Sequence, residues 1–394
     1  MVNKRKILIA GGGFGGIKAA LELESDENSD ITLLSDHDYF RYYPALYRAA
    51  TGGRSAASSI PLAEIFDGKN VKLVIDEAQK IDKDQKLVRC HSGKGFYYDT
   101  LIIALGVVTN YYGIKGLAEY SYGIKTLEEA QRLRDHLHKL IADEGKPDLN
   151  YIIIGGGPTG VELAGALPAY LRHVMASHGL APKKFHIDLI EAMPRLLPAM
   201  PAAYSKAVTK QLRQLGIKLY LDHKVQAENT DSLTVSGHDI KSHTVVWTAG
   251  VTNHPFFKNN DFALSPQGKV MVDANLMSES NIYVIGDNAQ TPYSGLAQTA
   301  LYDAVFVASN LKRLADGGLP QSYKPKQPIY VTPVGPHWAA VLWGKSQIYG
   351  FVGWLLRKAA DFAGYRDYEP WWRASEHWLA ANQSEETCPI CAKH

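Results

Sequence analysis

Six glycines carry the most specific chemistry in this chain. Gly11, Gly13 and Gly16 follow the aliphatic run Lys6–Ala10, and Gly155, Gly157 and Gly160 follow Tyr151–Ile154 at the same spacing. In each set the first glycine permits a tight turn and the second lets the backbone approach a pyrophosphate. The third lets the following helix lie close to the preceding strand. The free N–H groups and the dipole of that helix then face the phosphates. One Gly-x-Gly-x-x-Gly is a weak signal, because glycine turns after strands are common. Two, each between a buried-strand pattern and a helix-like run, imply two dinucleotide sites, and two nucleotides in one chain suggest electron exchange between them.

The elements around these turns follow from residue patterning. Ile17–Glu24 continues the first turn as a helix, and Asp30–Leu34 reads as a second strand. An adenosine-binding unit usually ends that strand with an acid that accepts hydrogen bonds from ribose hydroxyls. Here the place holds Ser35 and then Asp36, and either can take the role. In the second unit the strand Phe185–Ile190 ends at Glu191. A carboxylate there suits a ribose 2′-hydroxyl and repels a 2′-phosphate, which favours NADH over NADPH although Arg195 lies nearby. Residues 71–98 alternate apolar and polar, the pattern of a small antiparallel sheet in which Cys90 is a strand hydrophobe. Tyr98–Gly106 returns as a strand with a glycine turn, and Ile282–Asp287 is a buried strand ending in Gly286-Asp287, where an acid can hold a ribityl chain. Thr126-Leu127-Glu128-Glu129 has the form of a capping box opening a helix to about Ala142.

Composition limits the alternatives. A chain of 394 residues with 46% hydrophobic and 21% charged residues allows two or three globular domains. Its net charge of +2 gives no electrostatic case for nucleic acid. The first strand begins at about Lys6, leaving no room for a cleavable signal peptide, and no apolar run is long enough to span a bilayer. Only Cys90, Cys388 and Cys391 occur, which fits a reducing cytoplasm. No cysteine precedes Cys90, so no cysteine pair stands near the first glycine turn to relay electrons to an acceptor.

The motifs Val161-Glu162-Leu163-Ala164-Gly165, Val246-Trp247-Thr248-Ala249-Gly250-Val251, Gly286-Asp287 and Ala297-Gln298-Thr299-Ala300 join the two glycine turns. Together they resemble the two-dinucleotide-binding flavoprotein superfamily, and most closely the type II NADH dehydrogenases (NADH:quinone oxidoreductases), over roughly residues 5–365. The resemblance implies an α/β fold with two Rossmann-like domains in the glutathione-reductase-like arrangement. The FAD domain is then discontinuous, over 1–112 and 263–330, with an NADH domain at 113–262 and an arm at 331–394. It places FAD against Gly11, Gly13, Phe14, Gly16, Ser35, Asp36, Ala104, Gly106, Gly286, Asp287, Ala297 and Gln298. NADH falls to Gly155, Gly157, Thr159, Gly160, Glu191 and Gly250, and no metal ligand is assigned. Hydride transfer needs nicotinamide C4 about 3–3.5 Å from flavin N5, so catalysis is chiefly orientation. Glu162, one turn into the second helix, would position the nicotinamide and balance charge or protons. Gln298 and Tyr302, one helical turn apart, would hydrogen-bond a quinone. Two departures stand out: Ser35 replaces the usual acid, and Tyr302-Asp303 stands where the family continues with glutamine.

From Gln347 the texture changes. Ile348, Phe351, Val352, Leu355, Leu356 and Ala359 follow a helical stripe, and Tyr368, Trp371, Trp372, Ser375 and Leu379 repeat it. Four of the seven tryptophans lie at or beyond Trp354, a composition suited to a membrane interface. Six Lys/Arg against six Asp/Glu from Lys345 onward exclude charge as the driver. The expectation is a peripheral enzyme on the cytoplasmic face of the membrane, as a homodimer, that oxidises NADH and reduces quinone without pumping protons. The rivals are a soluble reductase of a ferredoxin- or rubredoxin-type carrier and an NADH-sensing flavoprotein that acts through partners. Cys388-Pro389-Ile390-Cys391 could bind a metal, form a redox pair or be a tail, and the tail is favoured.

Overall fold

The computed structural model describes residues 4–142, 150–181 and 183–384. Its two principal sheets are built from the aliphatic runs. Ile7, Leu8, Ile9 and Ala10 are at most 2% exposed, and Ile152 and Ile153 are fully buried. Strands covered on both faces read as unbroken apolar runs, because neither side of the pleat meets water. The first sheet has six strands in the order Met277–Glu279, Ile282–Val284, Thr100–Ile103, Arg5–Ala10, Ser29–Ser35, Lys72–Ile75. Only the Met277–Glu279 edge pairs antiparallel. The second, wholly parallel, runs Lys218–Tyr220, His186–Ile190, Asn150–Ile154, Thr244–Trp247. Each is a doubly wound, Rossmann-like sheet whose first strand, Arg5–Ala10 or Asn150–Ile154, leads through a glycine turn into a helix, Phe14–Leu23 or Pro158–Ser177. A short antiparallel pair, Val107–Thr109 with Val251–Asn253, ties the two units together.

The capping box forms as written. Glu129 N donates to Thr126 Oγ1 at 3.1 Å, Thr126 N donates to Glu129 Oε2 at 3.2 Å, and the helix runs Leu127–Ala142. Two readings need correction. Residues 78–97 do form a three-stranded antiparallel sheet, but Lys72–Ile75 lies outside it, parallel to Ser29–Ser35 at the edge of the six-stranded sheet. A half-exposed edge strand alternates just as an antiparallel one does, so periodicity cannot name its partner.

The second correction concerns the arm. The stripe was expected to begin a helix at Gln347, yet Ser346–Gly350 is a strand in a three-stranded sheet with Ala339–Trp343 and Tyr330–Pro333. Gly350, at φ 81°, ends that strand, and the helix runs Phe351–Arg366. Its amphipathicity is inverted: Phe351 and Val352 are more than half exposed, while Gly353, Arg357, Asp361 and Tyr365 face inward. Tyr368, expected on the second stripe, is buried, and its hydroxyl donates to Phe14 O at 3.2 Å. Cys388 and Cys391 lie outside the described residues.

Candidate functional site

Both glycine turns are shaped by close approach. A Cβ on Gly16 or Gly160 would lie 1.9 Å from the carbonyl oxygen of Gly11 or Gly155, so a larger residue would force helix and strand apart. On Gly11 it would lie 2.2 Å from Ala104 O. At Gly13 and Gly157, by contrast, a Cβ would meet nothing within 4 Å. Those two are the N-caps of the helices and offer no side-chain cap, so the first N–H groups of each helix face open space. Two such cradles fit two pyrophosphates.

The ends of the second strands show how each unit treats ribose. Ala10 pairs with Leu34 and Ile154 with Ile190, so Ser35 and Glu191 occupy the same place one residue on. Glu191 accepts hydrogen bonds from Gly156 N at 2.6 Å and Met193 N at 2.8 Å, which fixes its carboxylate beside the turn. Arg195 donates to the carbonyls of Met200 and Pro198, turned to its own loop. Ser35 is buried against Gly12 and donates to His37 O at 2.7 Å, whereas Asp36 is exposed and pairs with Arg41 at 2.5 Å. The register therefore favours Ser35 over Asp36 as the ribose-side residue of the first unit.

Gly286 and Asp287 sit in a short 3-10 turn after Ile282–Val284. Two residues given no role from the sequence, Asp303 and Asn288, hold that turn. Gly286 N donates to Asp303 Oδ2 at 2.9 Å, and Asn288 joins the turn to Gly106, accepting from Gly106 N at 2.8 Å and donating to Gly106 O at 2.5 Å. Burial pushes the Asp303 carboxyl up to about 6. The Phe14 ring packs among Phe40, Tyr43 and Tyr368, so only its backbone is available to a phosphate.

Between the two units lies a cleft lined by Tyr43, Tyr47, Lys125, Thr159, Glu162, Trp247, Thr248 and Gly250. Glu162 reaches it from the second glycine-turn helix, with its side chain 14% exposed. Behind it stand three more charges, Arg357, Asp361 and Arg48, all largely buried. Arg357 Nη1 donates to Glu162 Oε1 at 3.3 Å, Arg357 Nε to Asp361 Oδ1 at 2.7 Å, and Arg48 Nη2 to Asp361 Oδ2 at 2.7 Å. For Asp361 burial works upward, but the two guanidiniums outweigh it and hold the carboxyl below its ordinary value. For Glu162 burial wins: its carboxyl is pushed up to about 7, with Arg357 and Arg48 only partly opposing. A glutamate poised near neutrality in a cleft can hold or release a proton at working pH. Lys125, whose Nζ lies 4.5 Å from the centre of the Tyr43 ring, adds a cation to the same wall.

Gln298 and Tyr302 do not line this cleft. Both face the segment 326–329: Gln298 Oε1 accepts from Ile329 N at 2.9 Å, and Lys326 Nζ lies 5.2 Å from the Tyr302 ring centre. Ala297 opens their helix. The strand that follows this segment, Tyr330–Pro333, connects the groups, because Arg357 Nη1 also donates to Val331 O at 3.4 Å. Arg48, Lys125, Asn288, Asp303, Arg357 and Asp361 were all missed by sequence reasoning. The one available signal was the pair Arg357 and Asp361, opposite charges four apart in a mostly apolar helical run that also carries Lys358 and Arg366.

The pyridine nucleotide-disulphide oxidoreductase family matches residues 5–304. Among curated relatives, the type II NADH:quinone oxidoreductase Ndh of Mycobacterium tuberculosis is 28% identical over 384 residues, covering 90% of this chain and 83% of its own. The Staphylococcus saprophyticus type II NADH:quinone oxidoreductase is 26% identical, covering 91% and 94%. Among solved structures, NDH2 of Plasmodium falciparum in complex with NADH superposes with a TM-score of 0.86 at 18% identity, over 96% and 97% of the two chains. The sulfide:quinone oxidoreductase of Aquifex aeolicus superposes at 0.80 and 21% identity, over 95% and 92%. With both glycine turns, the second-strand ends and the Gly-Asp turn inside the matched region, the chain belongs to the pyridine nucleotide-disulphide oxidoreductase family.

Proposed function

We propose that the protein oxidises NADH and reduces a quinone, with FAD in the first cradle, NADH in the second and Glu162 between them. The observation that carries this reading is Glu162 itself. It projects from the second glycine-turn helix into the cleft joining the units and is held near neutrality by burial. Bound FAD would supply the carrier that takes a hydride from the nicotinamide and gives two electrons onward. The chain's own residues do the rest. Gly157 and the first N–H groups of Pro158–Ser177 receive the NADH pyrophosphate, and Glu191 receives the ribose. Thr159, Thr248 and Gly250 wall the cleft. Arg357 donates to Glu162 Oε1, so the carboxyl can change its proton while one oxygen stays fixed.

Gln298 and Tyr302 form the quinone side in this proposal, joined to Arg357 through Ile329–Val331. No helix among the described residues is long and apolar enough to cross a membrane. Phe351, Val352, Leu355, Trp371, Trp372 and Leu379 are all about half exposed or more, and they offer an apolar stripe to a bilayer surface, from which the quinone would come. The test is stopped-flow absorbance of the FAD-loaded protein, reduced with one equivalent of NADH and then mixed with a short-chain quinone. Reoxidation by quinone faster than by oxygen or ferricyanide is expected. Rapid reduction followed by indifference to quinone would overturn the proposal and favour a carrier protein as acceptor.

A further inference from the structure

Away from the cleft, the arm meets the first nucleotide unit through a second group of ionisable side chains. Glu369 precedes the helix Trp371–Ala380, His377 lies within that helix, and Glu64 lies in the short helix Leu62–Ile65. Their ligating atoms lie within 4.8 Å of one another. The Glu369 side chain is wholly buried, and among the described residues neither of its carboxylate oxygens accepts a well-formed hydrogen bond, His377 Nε2 standing 3.4 Å from Oε1. The nearby guanidiniums are engaged elsewhere. Arg366 donates to the main-chain oxygen of Glu369 at 3.1 Å, and Arg373 pairs with Asp67 at 3.5 Å and donates to Glu64 O.

His377 is oriented as a ligand. Its Nδ1 lies 3.0 Å from Ala56 O, and a carbonyl oxygen can only accept, so Nδ1 carries the proton. That leaves Nε2 facing Glu369 Oε1 at 3.4 Å. Metal-bound histidines are usually held in this way, with the other ring N–H tied to a backbone carbonyl or carboxylate. A neutral Nε2 would turn its lone pair on a buried carboxylate, which is repulsive unless a proton or a metal ion lies between. A protonated one would sit beyond the ~2.7–2.9 Å expected of a charge-assisted hydrogen bond. Two ligands each about 2.05 Å from a tetrahedral zinc ion stand about 3.4 Å apart, the separation found here. Glu64 is exposed and can swing in to supply the third oxygen.

We propose that Glu64, Glu369 and His377 form a site for one divalent transition-metal ion that fastens the C-terminal helices to the first nucleotide unit. One imidazole with two carboxylates suits Zn2+ better than Mg2+ or Ca2+, which prefer all-oxygen shells. The site stands apart from the Glu162 cleft and does not depend on the reaction proposed there.

The test is a Zn2+ titration of the FAD-loaded, chelator-stripped full chain carrying Cys388→Ser and Cys391→Ser, so that the terminal cysteines cannot bind the metal. The expected result is one Zn2+ per chain, weakened by Glu369→Gln and by His377→Gln at least the ~10–100-fold that loss of a ligand's supporting partner costs, and less by Glu64→Gln. X-ray absorption should show a nitrogen and oxygen shell at about 2.0–2.1 Å. Retained FAD absorbance marks each variant as folded. Should His377→Gln lose FAD, Glu369→Gln, which keeps the side-chain volume, decides the matter. No saturable binding at millimolar Zn2+, or binding untouched by Glu369→Gln, would overturn the proposal and leave a plain Glu369–His377 ion pair.

Discussion

Replacing Glu162 with glutamine isolates the cost of its buried charge. The substitution keeps volume and an oxygen that can accept from Arg357 Nη1, but removes ionisation. Raising the carboxyl from its ordinary 4.5 to about 7 corresponds to about 3.4 kcal/mol at ~1.36 kcal/mol per pH unit. Because 14% of the side chain still meets the cleft, about 2–3 kcal/mol is the expected effect. The sign follows from linkage. The unfolded chain releases this proton near 4.5 and the folded chain only near 7, so native stability from this group is intact below 4.5 and is lost as pH rises through 7. Glu162→Gln escapes that loss. Its melting temperature relative to the native protein should therefore climb between pH 5 and pH 8, by about 3 °C for a chain of this size. Thermal scans of both FAD-loaded proteins across that range measure the difference, in which other titrating groups cancel. A difference independent of pH, or falling with it, would refute the account of Glu162.

Four further variants have expected outcomes. Arg357→Met should destabilise the fold by about 3–5 kcal/mol, read as a lowered melting temperature. It should also move the Glu162-dependent limb of the kcat profile to higher pH, because Arg357 opposes the rise of that carboxyl. Gly157→Ala should fold and keep FAD while raising KM for NADH about tenfold or more, since its Cβ meets nothing in the protein and intrudes only on a ligand. Gly160→Ala should fail to fold, because its Cβ would fall 1.9 Å from Gly155 O. Trp371→Ser with Trp372→Ser should leave the melting temperature nearly unchanged, both rings being more than half exposed. The same pair should weaken co-sedimentation with liposomes several-fold, and unchanged sedimentation would count against the membrane-facing stripe.

Sequence alone determined what is local. A glycine at a given offset after an aliphatic strand dictates a turn whatever lies elsewhere, so both cradles, the capping box at Thr126 and the acid at Glu191 were legible from spacing and residue type. The choice between Ser35 and Asp36 was not, because one residue of strand register decides it, and register is set by the partner strand. The arm shows the same limit. Its apolar stripe was visible, but a stripe does not say whether it faces core or solvent, and here Arg357 and Asp361 turn inward instead. Only the tertiary structure assembles Arg48, Glu162, Arg357 and Asp361, drawn from three distant stretches of chain, into one buried set. Burial is a property of the assembled fold, and it is burial that lifts Glu162 towards neutrality and makes it a proton-exchanging group rather than an ordinary helix-terminal acid.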